Sequence, residues 1–248
     1  PRKSILDKKS DHIKDKKYGF FHSQNTFFDE VANELGMVDS NGEYMRHPLA
    51  YLVEAADDIC YTLIDFEDGI NLGWISEEYA LEFLIRLVKD SIDTKKYNSL
   101  KHKTDRVAYL RALSVNTLIN DTVKIFLANE EKILNGQFTK TLLSESVFKA
   151  QMKDIIDISV RKVYNSKEVI EKELKGYQVI HKLLSVFIKA SVNNQSDNTT
   201  ALDDLVLSSL PQAYIHKDGN LYDQLLDISC FVASLTDGNA LEWYNKIS

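Results

Sequence analysis

The 248-residue sequence predicts an all-α fold, and three observations lead there. Only 9 Gly and 3 Pro interrupt the chain, so long uninterrupted elements are expected. Apolar residues recur at three- and four-residue spacing through most of its length, the period of a helix face. No stretch shows the strict alternation and turn chemistry of a β-hairpin, and no internal repeat is visible.

Residues 1 to 17 are polar and basic and read as a solvated loop. A helix is expected from Gln24 to Leu35, with Ser23 as N-cap and Gly36 closing it. The turn "MVDSNGEYM" leads to a long helix from Pro48 to about Leu72, with proline in its first turn and Gly73 after its end. Ser76, followed by Glu77 and Glu78, opens a third helix running to about Asp90. The segment "TKKYNSLKHKT" reads as a basic linker, and a helix follows from Asp105 to Asn129. Further helices are expected over Glu145–Val163, Ser166–Ala190 (broken or bent near Gly176), Ala201–Leu210, Leu221–Leu235 and Asn239–Lys246. The run "SVNNQSDNTT" is too polar to pack and reads as a loop. Two regions are expected, 1–130 carrying the chemistry and 131–248 a helical subdomain.

Composition excludes several function classes. A net charge of −7 and a pI near 5.4 argue against a general nucleic-acid binder. Cys60 and Cys230 are far apart in apolar helical patterns and read as core thiols of a reducing compartment. Neither a signal peptide nor an apolar run long enough to span a bilayer is present, so a cytoplasmic protein without a membrane partner is expected. No Ser/His/Asp order, phosphate-binding glycine loop or CxxC pair supports nucleophilic or P-loop chemistry. The six histidines form no HxH or HxxxH pair and read as surface or capping residues.

The informative stretch is "HPLAYLVEAADDICYTLIDFEDG", His47 to Gly69. At about 100° per residue, Leu49, Leu52, Val53, Ala56, Cys60, Leu63 and Ile64 form one apolar arc. Glu54, Asp58, Tyr61 and Asp65 share a second arc, because residues four apart lie on one face. Asp57 falls on the seam between them, where a half-desolvated carboxylate costs several kcal/mol unless a cation meets it. No Lys or Arg lies between Arg46 and Arg86, so a metal ion is the expected partner.

This stretch closely resembles the dGTP triphosphohydrolase branch of the HD-domain phosphohydrolases. The resemblance is carried by "EAADDI" with Tyr61 and Asp65 at +4 and +8 from Asp57, and by the "EDGI" that follows. It extends to "KKYGFF", "RALSVNTLINDTVKIFLAN", "GYQVIHKLL" and "DISCFVASLTDGNALEWY", nearly the whole chain. The resemblance implies hydrolysis of a deoxynucleoside triphosphate to deoxynucleoside and inorganic triphosphate at a divalent metal such as magnesium or manganese. It implies that Asp57 is a metal ligand, that Asp58 orients a ligand, that Tyr61 and Asp65 hold the deoxyribose, and that Lys17 contacts the triphosphate. Arg106, Arg111 and Asn116 lie on a helix that the family places near nucleotide sites and are candidates for substrate or effector binding. Family members are usually oligomers, often hexamers, so a homo-oligomer is expected. The family's histidine and His-Asp pair have no counterpart in this sequence, which contains no HD dipeptide and begins at Pro1 in a charged segment. The chain therefore reads as the C-terminal portion of such an enzyme. Two alternatives stay open: a non-catalytic helical module for regulation or assembly, and a phosphohydrolase of another nucleotide preference.

Overall fold

A computed structural model describes residues 19–196, 198–214 and 220–247. Among these residues every regular element is helical, and a single isolated bridge joins Val38 to Tyr44. The helices are α1 (Asn25–Glu34), α2 (Pro48–Asn71), α3 (Glu77–Val88), α4 (Thr94–Ser99), α5 (Lys103–Ala128), α6 (Glu130–Leu134), α7 (Lys149–Ser159), α8 (Lys167–Gln195), α9 (Ala201–Ser208), α10 (Leu221–Ser234) and α11 (Asp237–Lys246). The described chain forms two compact units that divide after Ser166, so the expected boundary at residue 130 falls inside the first.

In the first unit α2, α3, α5 and α7 bury one core. Ile59, Leu63, Phe66 and Ile70 of α2 meet Leu84 and Leu87 of α3, Val107, Leu110 and Leu118 of α5, and Met152 and Ile155 of α7. Each large side chain so buried contributes about 1.5–3 kcal/mol of transfer free energy. A smaller cluster sits under the start of α2, where the Tyr51 hydroxyl donates to the Phe138 carbonyl at 2.6 Å. In the second unit α8 packs against α9, α10 and α11 through Leu183, Phe187, Val206, Phe231 and Ala240. Trp243 closes that core, its ring 5.8 Å from Phe187 and 5.4 Å from Phe231.

Helix ends follow local chemistry. The His47 ring accepts from the Leu49 amide at 3.2 Å, capping being one of the two roles expected of the histidines, and Pro48 needs no partner for its missing N–H. Ser23 lies in a 3₁₀ turn, His22–Gln24, rather than at the N-cap of α1. The expected basic linker contains α4, nucleated by Asp93, whose carboxylate accepts from the Lys95 and Lys96 amides at 2.9 and 3.1 Å. The start of α9 is a capping box between Thr200 and Asp203. The Asn193 side chain, the Thr200 amide and the Thr200 hydroxyl all donate to the Asp203 carboxylate and hold it below its ordinary range.

Two expectations for α8 are corrected. The helix runs unbroken past Gly176 to Gln195, absorbing the first half of the polar run. The reason is that its polar residues find partners: Ser191 donates to Gln224 at 2.8 Å and Asn193 to Asp203 at 3.0 Å. Both cysteines are exposed, not core thiols, because the faces carrying them point away from the α2 and α10 contacts. No helix among the described residues is long and apolar enough to cross a membrane.

α7 ends in a π-helical turn, Val160–Tyr164, which packs onto the far end of α2. Gly69 makes the close approach possible. A Cβ there would lie 2.6 Å from Val163 Cγ2 and 2.8 Å from Ile75 Cδ1. The two helical glycines away from caps therefore predict opposite effects. Gly69→Ala lowers stability by about 1–2 kcal/mol, overpacking exceeding the gain in helix propensity. Gly176→Ala, in open space on α8, raises it by about 0.5–1 kcal/mol. Urea denaturation midpoints of the two variants check both signs.

Candidate functional site

α2 presents three faces. The buried face comprises Tyr51, Ala55, Ile59, Thr62, Phe66, Gly69 and Ile70. The apolar arc expected to be core lies roughly 100° round the helix from it. Of that arc Leu63 is buried, but Leu49, Val53 and Ile64 are 58%, 68% and 44% exposed, and Ala56 and Cys60 are also exposed. This is a correction. α2 is apolar over two arcs, and α5 and α7 cover the one that carries its aromatic and largest aliphatic groups.

The third face holds the carboxylates. Asp57 and Asp58 are exposed, with Asp57 about 180° from the core direction rather than on a buried seam. Two neighbouring carboxylates are met by arginines distant in sequence or outside the helix. Arg46 pairs with Glu54 at 2.8 Å while stacking over Tyr51, and Arg111 of α5 pairs with Glu67 at 2.5 Å. The absence of cations between Arg46 and Arg86 in sequence thus does not carry over to space. Among the described residues no three His, Cys, Asp or Glu side chains come together to hold a metal ion. The residues described do not complete the divalent-metal site that the resemblance implies.

One turn beyond Asp57, Tyr61 is 61% exposed, so a face of its ring is open to a ligand. Asp65, a turn further, is half-buried and accepts a hydrogen bond from the Tyr164 hydroxyl of the π-helical turn. The Tyr61 and Tyr164 rings lie 6.5 Å apart, inclined by 32°. Burial, then the bond to Asp65 and its negative charge, push the Tyr164 phenol far above its ordinary pKa. It remains a protonated donor throughout the physiological range. Tyr61, Asp65 and Tyr164 therefore form a contiguous wall, and sequence reasoning reached only the first two. Tyr164 is 99 residues from Asp65 and belongs to no motif, so only the packing of α7 on α2 reveals it.

The other candidates are dispersed. Arg106 pairs with Glu77 at 3.0 Å and donates to the Leu100 and Lys101 carbonyls, pinning α5 to α3 and to the loop before α5. Arg111 is engaged by Glu67, and Asn116 is exposed on α5. Lys17 lies outside the described residues.

No family model matches the chain. A "Deoxyguanosinetriphosphate triphosphohydrolase-like protein" of Synechocystis sp. is 30% identical over 93% of this chain and 52% of its own length. One of the same name from Listeria monocytogenes is 28% identical over 99% of this chain and 57% of its own length. A "Deoxyguanosinetriphosphate triphosphohydrolase" of Serratia proteamaculans is 30% identical over 69% of this chain and 36% of its own length. The chain thus spans about half the length, or less, of these relatives. Similarity over nearly the whole chain, on an all-α fold that sets the Tyr61–Asp65 pair on one open face of α2, makes this chain a relative of the dGTP triphosphohydrolase family.

Proposed function

We propose that the complete gene product hydrolyses dGTP or another deoxynucleoside triphosphate to deoxynucleoside and inorganic triphosphate, and that this chain supplies the sugar-binding wall. In that reaction the oxygen of water bonds to the α-phosphorus, the bond from phosphorus to the 5′-oxygen breaks, and the 5′-oxygen leaves as the protonated hydroxyl. The observation that carries the reading is the Tyr61–Asp65 pair. An open aromatic face sits one turn, about 5.4 Å, before a carboxylate whose position is fixed by a tyrosine. Laid along α2, a deoxyribose covers the Tyr61 ring with its 2′-carbon and donates its 3′-hydroxyl to Asp65. A 2′-hydroxyl would meet the ring, with no acceptor for its proton, and be disfavoured by desolvation and crowding.

Asp57 is proposed as one ligand of a divalent ion whose remaining donors are not among the described residues, with Asp58 orienting that site. Lys17 is proposed to contact the triphosphate, its ammonium offsetting phosphate charge. Arg106, Arg111 and Asn116 remain proposals for nucleotide or effector contacts. For the two arginines a phosphate would have to compete with Glu77 and Glu67. Association with further polypeptide, including copies of the same chain, is supported by the exposed apolar arc Leu49, Val53 and Ile64.

Two experiments test these roles in the complete gene product. Tyr61→Ala narrows the preference for dGTP over GTP by about tenfold or more, chiefly by admitting GTP, while Asp65→Asn abolishes the advantage of dGTP over its 2′,3′-dideoxy analogue. The kcat/KM values of the three nucleotides measure both, and unchanged ratios in both variants place the sugar elsewhere. Asp57→Ala loses bound divalent metal by elemental analysis together with activity, and Asp58→Ala loses less of each. Full metal occupancy in Asp57→Ala rules out its ligand role.

A further inference from the structure

The Tyr164 hydroxyl lies on the carboxylate proposed to recognise the 3′-hydroxyl, and its ring lies beside the one proposed to exclude the 2′-hydroxyl. A free aspartate on a helix surface samples several rotamers, and freezing it in one of them on binding subtracts from the affinity. Tyr164 removes that freedom before the ligand arrives. Its bond occupies Oδ2 and fixes the plane of the Asp65 carboxylate, leaving Oδ1 as the acceptor. The fixation is itself supported from below: Val163 seats against Gly69, one turn beyond Asp65, so the residue next to Tyr164 is held at van der Waals distance from α2. The backbone there is a π-helical turn, a geometry rare enough in helices to be concentrated at functional positions.

We propose that Tyr164 is a specificity-determining positioning residue: it orients Asp65 toward the 3′-hydroxyl of a 2′-deoxynucleoside triphosphate and forms the second aromatic wall beside Tyr61. This inference rests on the sugar-binding reading above. Tyr164 acts through Asp65, so removing its hydroxyl weakens discrimination by the 3′-hydroxyl while leaving the packing of the turn intact. The raised pKa of the phenol keeps the donor in place across the working pH range, so the effect is independent of pH between about 6 and 9.

The test uses the complete gene product with Tyr164→Phe, Asp65→Asn and the double variant, and Tyr164→Leu in parallel as a second hydroxyl-free form. kcat and KM are measured for dGTP and its 2′,3′-dideoxy analogue, with thermal unfolding as the check on folding. Tyr164→Phe is expected to lower the dGTP-to-dideoxy ratio of kcat/KM about tenfold, mainly through KM, at an almost unchanged Tm. The double variant is expected to lose no more discrimination than Asp65→Asn alone, because the two residues act as one unit. Additive losses in the double variant, or an unchanged ratio in folded Tyr164→Phe or Tyr164→Leu, overturn the proposal while leaving the roles of Tyr61 and Asp65 standing. A wild-type protein that cleaves deoxynucleoside triphosphates without distinguishing the dideoxy analogue, or does not cleave them, overturns the sugar-binding reading itself.

Discussion

The burial of one face of α2 is the constraint from which the rest of the first unit follows. Ile59, Leu63, Phe66 and Ile70 are each no more than 1% exposed, and they fix the rotation of the helix about its own axis. Once that rotation is set, side chains roughly 100–180° away have no choice of direction, so Asp57, Tyr61 and Asp65 must face outward together. α5 and α7 are the elements that supply the complementary surface, and each also delivers a polar group to α2. α5 brings Arg111 to Glu67, and α7, through its terminal turn, brings Tyr164 to Asp65. Hydrophobic packing and site assembly are thus one event, and substitutions that loosen the core also disturb the carboxylate face.

The electrostatics of α2 are divided along its length. At its start Glu54 is neutralised by Arg46, and near its end Glu67 is neutralised by Arg111. Asp65 receives a neutral donor instead of a cation. A phenol satisfies one oxygen and leaves the negative charge in place, whereas an arginine would offset the charge and occupy both oxygens. Asp65 therefore keeps both its charge and the capacity to accept a further hydrogen bond.

Much of the fold was legible in the sequence because helix signals are local. The first-turn proline of α2 with Gly73 after its end, the Ser76-Glu77-Glu78 opening of α3 and the apolar period of α5 each specify a helix without reference to the rest of the chain. What failed was everything that depends on a partner element. The face of α2 that is buried differs from the arc chosen by projection, because Tyr51, Ile59 and Phe66 on one side and Leu49, Val53 and Ile64 on the other both look apolar. The extension of α8 to Gln195 needed Gln224 and Asp203 to receive its polar end, and neither is a neighbour in sequence. Asp57, Tyr61 and Asp65 were singled out by motif and spacing, and their shared outward side follows from helix period alone, yet the contact of Tyr164 with Asp65 was invisible, since a lone tyrosine after an amphipathic helix carries no pattern.

The π-helical turn at Val160–Tyr164 has an evolutionary consequence. A turn of this kind is an α-helix holding one additional residue, so deleting any one residue within it would restore the regular spiral. Tyr164 would then swing by about 100° off Asp65 while the apolar stripe of α7 stayed seated. Single-residue insertion or deletion at this point therefore offers a lineage a way to connect or disconnect Tyr164 and Asp65, shifting Val163 from its seat against Gly69 at the same time. A point substitution of Tyr164 breaks the same contact but leaves the direction of the turn unchanged.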